Sequence, residues 1–165
     1  MIRQRPPQPK ASPYITRAGY ERLQAELKAI WKRRAEVTAA LAAAAAEGDR
    51  SENAEYIYRK KELREIDRRI RYLQQRLPLL KVVTETPADR DRVFFGAWVT
   101  LERKGGDDVT YRIVGADEFD PARGWISVDA PLARALLKKA TDESVEVATP
   151  EGRVTYWILE VRYEV

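Results

Sequence analysis

The stretch Leu63-Arg64-Glu65-Ile66-Asp67-Arg68-Arg69-Ile70-Arg71-Tyr72-Leu73, continued by Leu77 and Leu80, repeats its large aliphatic residues at alternating intervals of 3 and 4. That is the a/d seam of a coiled coil, a thin apolar stripe on one side of a helix. A helix with so narrow a stripe needs a partner of the same kind. Upstream, Leu23, Leu27, Ile30, Val37, Leu41 and Ala44 recur at 4, 3, 7, 4 and 3, with Arg34 in the skipped seam position. The break between the two stripes is short, and Gly48 in it suits a left-handed helix end. Two long helices joined by so few residues fold back antiparallel, each seam covering the other.

Working outward from the hairpin, Thr16 stands where a cap of the first helix is expected, and Pro78 marks the end of the second or a kink in it. A helix over residues 17–46 is roughly 45 Å long at 1.5 Å per residue. A compact domain of about 80 residues is only roughly 30 Å across. The hairpin is therefore expected to project, with Glu47–Asn53 as an exposed tip. Before it, residues 1–13 are basic, proline-rich and without hydrophobic period, and read as a flexible arm.

Past a linker at 83–92 the period changes to two. Val93–Arg103, Val109–Val114, Trp125–Val128, Ser144–Ala148 and Arg153–Val161 read as strands, with turns at Gly105-Gly106 and Glu151-Gly152. A short helix is expected over Pro131–Ala140, opened by Pro131. The fold class is α+β: a coiled-coil finger over 14–82, then an antiparallel sheet domain with one short helix over 93–165.

The 165 residues contain neither cysteine nor histidine. That excludes disulfides, a thiolate nucleophile, Cys-ligated metals and an imidazole base. Any chemistry must use carboxylates, Lys, Arg, Tyr, hydroxyls or a metal that these help to hold. No signal peptide or membrane span is legible, so a soluble cytoplasmic protein is expected. The formal charge of +4 is uneven: residues 1–81 carry +9 and residues 82–165 carry −5. A polyanion near the basic half, or two separately solubilised domains, would each account for that.

The tip reads Gly48-Asp49-Arg50-Ser51-Glu52-Asn53-Ala54-Glu55-Tyr56. Asp49 and Glu52 fit a capping box, with favourable acids at a helix start. They equally fit half of a Mg²⁺ site, since that ion takes oxygen ligands and often only one or two carboxylates from a protein. After the tip, eight cations between Arg59 and Arg76 face only Glu62, Glu65 and Asp67. Lys60, Arg64, Arg68 and Arg71 lie on one helical face. Pairs such as Glu65–Arg69 and Asp67–Arg71 would neutralise part of it, but three anions cannot absorb eight cations. The stripe reads as one that tracks phosphates, with Tyr56 and Tyr58 beside it available to stack on a base, although Tyr56 also fits the seam and there would serve packing instead. Arg59, also on the seam's continuation, is expected where the coil loosens.

These residues resemble a known family. The motifs are Thr16-Arg17-Ala18-Gly19-Tyr20-Glu21-Arg22-Leu23, the tip sequence, the basic helix from Lys60 to Leu73, Val93-Phe94-Phe95-Gly96-Ala97-Trp98-Val99, and Pro131-Leu132-Ala133-Arg134-Ala135-Leu136-Leu137-Lys138-Lys139. Together they are similar to the bacterial transcript-cleavage factors of the GreA/GreB family, on the GreB side, from about residue 14 onward. The resemblance implies an FKBP-like second domain and a finger that enters the secondary channel of RNA polymerase. It implies that Asp49 and Glu52 help to hold the second Mg²⁺ of the polymerase, so that backtracked RNA is hydrolysed near its 3′ end. It implies RNA binding by Arg59, Lys60, Lys61, Arg64 and Arg68, and partner binding by Pro131 and Leu132. No cofactor is expected in the isolated protein, no membrane partner, and a monomer. The sequence departs from the family pattern at the alanine-rich Ala39–Ala46, at Asp129-Ala130 and at Thr141-Asp142.

The chain is not expected to be a nuclease by itself, because two acids without histidine make no complete site. Two rival readings are a channel inhibitor of the same fold and a generic nucleic-acid-binding coiled coil.

Overall fold

The computed structural model describes residues 10–47 and 53–163. They form two compact units, one from Ala18 to Leu80 and one joining the residues before Ala18 to those from Lys81 onward.

The helical unit is built on α1 (Arg17–Ala46) and α2 (Ala54–Arg76). Side-chain bonds between them fix the direction. Arg69 grips Glu26 through two bonds of 2.6 and 3.0 Å, Arg33 meets Glu62 at 2.7 Å, and Asn53 Nδ2 donates to Ala44 O at 2.7 Å. Numbers rising along α1 fall along α2, so the helices are antiparallel. Every apolar residue of the two expected seams is buried or half-buried, and Val37, Ile66 and Ile70 form the centre with Leu27, Ile30 and Leu63 against them. Arg34, in the skipped position, turns to Asp67 at 2.7 Å. Pro78 opens a single 3₁₀ turn, Leu77–Leu79, that ends α2.

The second unit holds a five-stranded sheet of order β5-β4-β3-β7-β6. Its strands are β3 (Trp98–Arg103), β4 (Asp108–Val114), β5 (Trp125–Ser127), β6 (Ser144–Thr149) and β7 (Gly152–Arg162). One face, carrying Val99, Leu101, Ile113 and Ile158, packs with Ala133 and Leu136 of α3 (Pro131–Leu136) in the main core. Burial of such side chains contributes about 1.5–3 kcal/mol each, before the entropy of ordering them.

The sheet is mixed rather than wholly antiparallel. β5 runs parallel to β4, Arg112 opposite Trp125. A parallel neighbour needs a crossover, and residues 115–124 supply it with two 3₁₀ turns at Ala116–Glu118 and Pro121–Arg123. Two other expectations are shortened. Val93–Ala97 is not strand, because Gly96 takes a φ of 87° and Val93 bonds instead to Lys138 and Lys139 at 2.7 and 2.8 Å. The helix expected over Pro131–Ala140 stops at Leu136, since Lys138 turns left-handed at φ 70°.

A second small sheet, not foreseen, pairs β1 (Tyr14–Thr16) in parallel with β2 (Lys81–Val83). What holds β1 is Glu118, 1% exposed, whose carboxylate accepts from the backbone N–H of Gly115 (2.8 Å), the backbone N–H of Thr16 (3.1 Å) and the Thr16 hydroxyl. Gly115 is required by the close approach: a Cβ there would fall 2.2 Å from the carbonyl oxygen of Tyr14. Ser12, at the end of the expected arm, bonds to Asp129 through its N–H (2.8 Å) and its hydroxyl.

Candidate nucleic-acid interface

α1 ends at Ala46, and the Glu47 N–H closes a last turn on Ala44 O at 3.2 Å. α2 opens on Asn53, whose backbone is extended (φ −86°, ψ 104°) and whose Oδ1 accepts from Tyr56 N at 3.2 Å. The same side chain reaches back to Ala44, so one amide caps one helix and ties off the other. The cap of α2 is therefore Asn53. The acids Asp49 and Glu52, for which a capping box was one reading, lie outside the described residues, as does Gly48. Among the described residues, no cluster of three acids could hold a metal ion. Two carboxylate donors suit a hard cation in kind but are too few to enclose one.

The basic stretch divides into two groups. Arg59 is only 24% exposed in its side chain and sits between Glu55 (2.8 Å) and Glu62 (3.3 Å), its guanidinium 5.4 Å from the Tyr58 ring centre. Glu62 also takes Arg33, which holds Glu36 at 3.2 Å. The hydrogen bond to Glu55 raises Arg59 above the ordinary arginine pKa, and bonds to Glu36 and Glu62 do the same for Arg33. A seam charge near the end of the hairpin is thus neutralised in place, and α1 and α2 are joined there by ions rather than loosened.

Lys60, Lys61, Arg64, Arg68 and Arg71 are different. All five are exposed, and among the described residues none has a carboxylate partner. Lys60 places its ammonium 5.8 Å from the Tyr56 ring centre. The pairing expected within α2 does not form in the described bonds: Asp67 is taken by Arg34 of α1, and Arg69 turns to Glu26 of α1. Glu62 and Asp67 are thus spent on the hairpin's own joint, and the one exposed acid left among these cations, Glu65, cannot balance the outer row. Such a row is the electrostatic footprint of a phosphate backbone.

Two aromatic expectations resolve. Tyr56 is half-buried, as the seam required, whereas Tyr58 is 60% exposed and Ile57 beside it is 54% exposed. Ile57 gave no signal in the sequence, because an isolated apolar residue off the seam is ordinary surface. In the sheet unit, Pro131 is exposed at the first position of α3, and Leu132 packs against the main core.

No helix among the described residues is long and apolar enough to cross a membrane. A family model described as "Transcription elongation factor, N-terminal" matches residues 13–82, and one described as "Transcription elongation factor, GreA/GreB, C-term" matches residues 87–163. Helical hairpin and sheet domain are thus covered in order, and the chain belongs to the GreA/GreB family of transcription elongation factors. Its relatives include the transcription elongation factor GreB of Xanthomonas axonopodis pv. citri, 58% identical over 99% of this chain and 98% of that one. GreB of Yersinia pestis is 56% identical over 92% of this chain and 90% of that one. Among solved structures, the GreA factor homolog Gfh1 of Thermus thermophilus is similar at 24% identity over 90% of this chain and 97% of that one, with a TM-score of 0.41.

Proposed function

We propose that this protein binds RNA polymerase, inserts its helical hairpin into the secondary channel and stimulates the polymerase's own hydrolysis of backtracked RNA. The observation that carries the reading is the cap of α2: Asn53 does that work, so Asp49 and Glu52 are not needed to start the helix. Two acids between the helices of an antiparallel hairpin can then serve a site elsewhere. Their carboxylates supply oxygen ligands on one side of a Mg²⁺ whose remaining ligands belong to the polymerase and the RNA. The uncompensated row of Lys60, Lys61, Arg64 and Arg68 holds the extruded 3′ segment of the RNA by its phosphates. Arg59 supports it by fixing the end of the hairpin. The protein has no complete active site of its own and works where transcription occurs, in the cytoplasm.

The test uses stalled, backtracked elongation complexes with Mg²⁺, adding the wild type or Asp49→Ala/Glu52→Ala. Cleavage stimulated by the wild type and lost in the double variant, with polymerase binding kept, supports the reading. A wild type that only blocks elongation makes the protein a channel inhibitor. Equal cleavage with both proteins removes the two carboxylates from the mechanism.

A further inference from the structure

The sheet face turned away from the main core carries an alternating row of arginine and tryptophan across four strands. Arg162 of β7 is opposite Trp98 of β3, Trp98 is opposite Arg112 of β4, and Arg112 is opposite Trp125 of β5. Directly opposed residues share a face, and the alternate positions Val99, Ile113 and Val161 are the ones that turn to the core. The side chains interleave. The Arg162 and Arg112 guanidiniums lie 5.1 and 5.6 Å from the Trp98 ring centre, and those of Arg112 and Arg123 lie 5.4 and 5.0 Å from that of Trp125. Three strand spacings make the row about 14 Å long from Arg162 to Trp125.

Arg112 is its centre. It is half-buried between two indoles, and its Nε makes a long 3.4 Å contact with Gly96 O. Arg123 has Asp120 at 3.4 Å, but Arg112 has no carboxylate partner among the described residues. Beside it, the indole Nε1 of Trp98 is buried with no hydrogen-bond partner. Desolvated donors without acceptors are costly, so a half-buried guanidinium without a carboxylate of its own is a place where an oxyanion can bind.

We propose that this row docks a carboxylate-rich surface segment of a protein partner, Arg112 taking a carboxylate in its planar fork. The proposal rests on the reading that the partner is RNA polymerase. One feature favours protein carboxylates over nucleic acid: both indoles already stack on guanidiniums, so the row offers edges and no free ring face for a base.

The experiment compares the full chain with R112K and R123Q in binding three probes: core RNA polymerase, poly-L-glutamate and oligouridylate. R112K keeps the charge and loses the fork. We expect it to bind polymerase about tenfold more weakly and to lose affinity for polyglutamate, with oligouridylate binding unchanged. R123Q, at the exposed end of the row, should show the same pattern at about threefold, and it decides the matter if R112K fails to fold by near-UV circular dichroism. Unaltered binding of polymerase and polyglutamate overturns the proposal, and so does a loss confined to oligouridylate. A wild type that binds polyglutamate through Arg112 but not polymerase upholds the carboxylate surface and sinks the polymerase reading instead.

Discussion

Thr16 gives both its backbone N–H and its hydroxyl to the buried carboxylate of Glu118, 102 residues away in sequence. With the Gly115 N–H, the carboxylate accepts three hydrogen bonds in a site only 1% exposed. Removing the acid leaves two backbone donors and a hydroxyl short of an acceptor, at roughly 1–3 kcal/mol for each orphan that water does not reach. Glu118→Ala should therefore destabilise the sheet unit by about 3 kcal/mol. Glu118→Gln should cost about 1 kcal/mol, because the amide oxygen can still accept the two N–H groups while the Thr16 hydroxyl turns to accept from the new NH₂. Urea unfolding of both variants measures the difference, and equal losses would mean that the negative charge, not the bonding pattern, is what the site requires.

Arg34 fills the apolar position that the first seam skips, and its ion pair with Asp67 joins side chains 36% and 41% exposed. Pairs this exposed contribute at most about 1 kcal/mol. A leucine in its place adds buried aliphatic surface against the second helix, about 1–2 kcal/mol. Arg34→Leu should leave stability unchanged or raise it slightly, with Asp67 still solvated. Thermal unfolding checks this. A large loss would show the ion pair to be what sets the register of the hairpin.

The hairpin was legible in the sequence because a heptad seam states which residues are inside, and every one of them is at least half-buried. The strands of the second unit were legible by period two, but their direction was not: alternation is the same for a parallel and an antiparallel neighbour, and β5 is parallel. β1 and β2 were invisible because they flank the hairpin in sequence and meet only once it folds, and their holding group, Glu118, reads in sequence as one more surface acid. At the candidate interface the cations were found by counting, whereas their division was not. Arg59 differs from Arg64 only through Glu55 and Glu62 and the approach of Arg33 from the other helix. The arginine–tryptophan row needed strand register before it could be seen at all.

Tyr163 sets a limit at high pH. Its hydroxyl accepts from Phe94 N–H at 2.8 Å and donates to Arg92 O at 2.5 Å, tying the end of the chain to the segment before β3. Burial raises its pKa above the ordinary 10.0, outweighing the Phe94 bond, which lowers it. The folded state thus prefers the neutral phenol. This contribution is complete below pH about 10 and is lost as pH rises through the folded value, since the unfolded chain releases the proton first. Tyr163→Phe should cost about 1–2 kcal/mol at neutral pH and flatten the loss of stability between pH 9 and 11 (about one unit either side of the ordinary value). Denaturant midpoints across that range test it, and an unchanged alkaline slope would assign the loss to other groups.

RNA capture should separate the two groups of cations on α2. Lys60, Arg64 and Arg68 are exposed and without carboxylate partners among the described residues, so each can displace a counterion from a phosphate. For a single strand, each contact adds about 0.7 to the slope of log affinity against log salt. Lys60→Ala/Arg64→Ala/Arg68→Ala should lower the magnitude of that slope by about 2 and weaken binding of a backtracked RNA segment most at low salt. Arg59→Ala should leave the slope nearly unchanged, because Glu55 and Glu62 already neutralise it. Its cost should appear in the stability of the hairpin instead, where Glu55 and Glu62 lose the cation they share. Fluorescence titrations at four salt concentrations, with melting curves of the same variants, measure both quantities. A slope change of about 0.7 for Arg59→Ala alone would mean that RNA competes successfully for the paired cation, and that the ion cluster opens when RNA is bound.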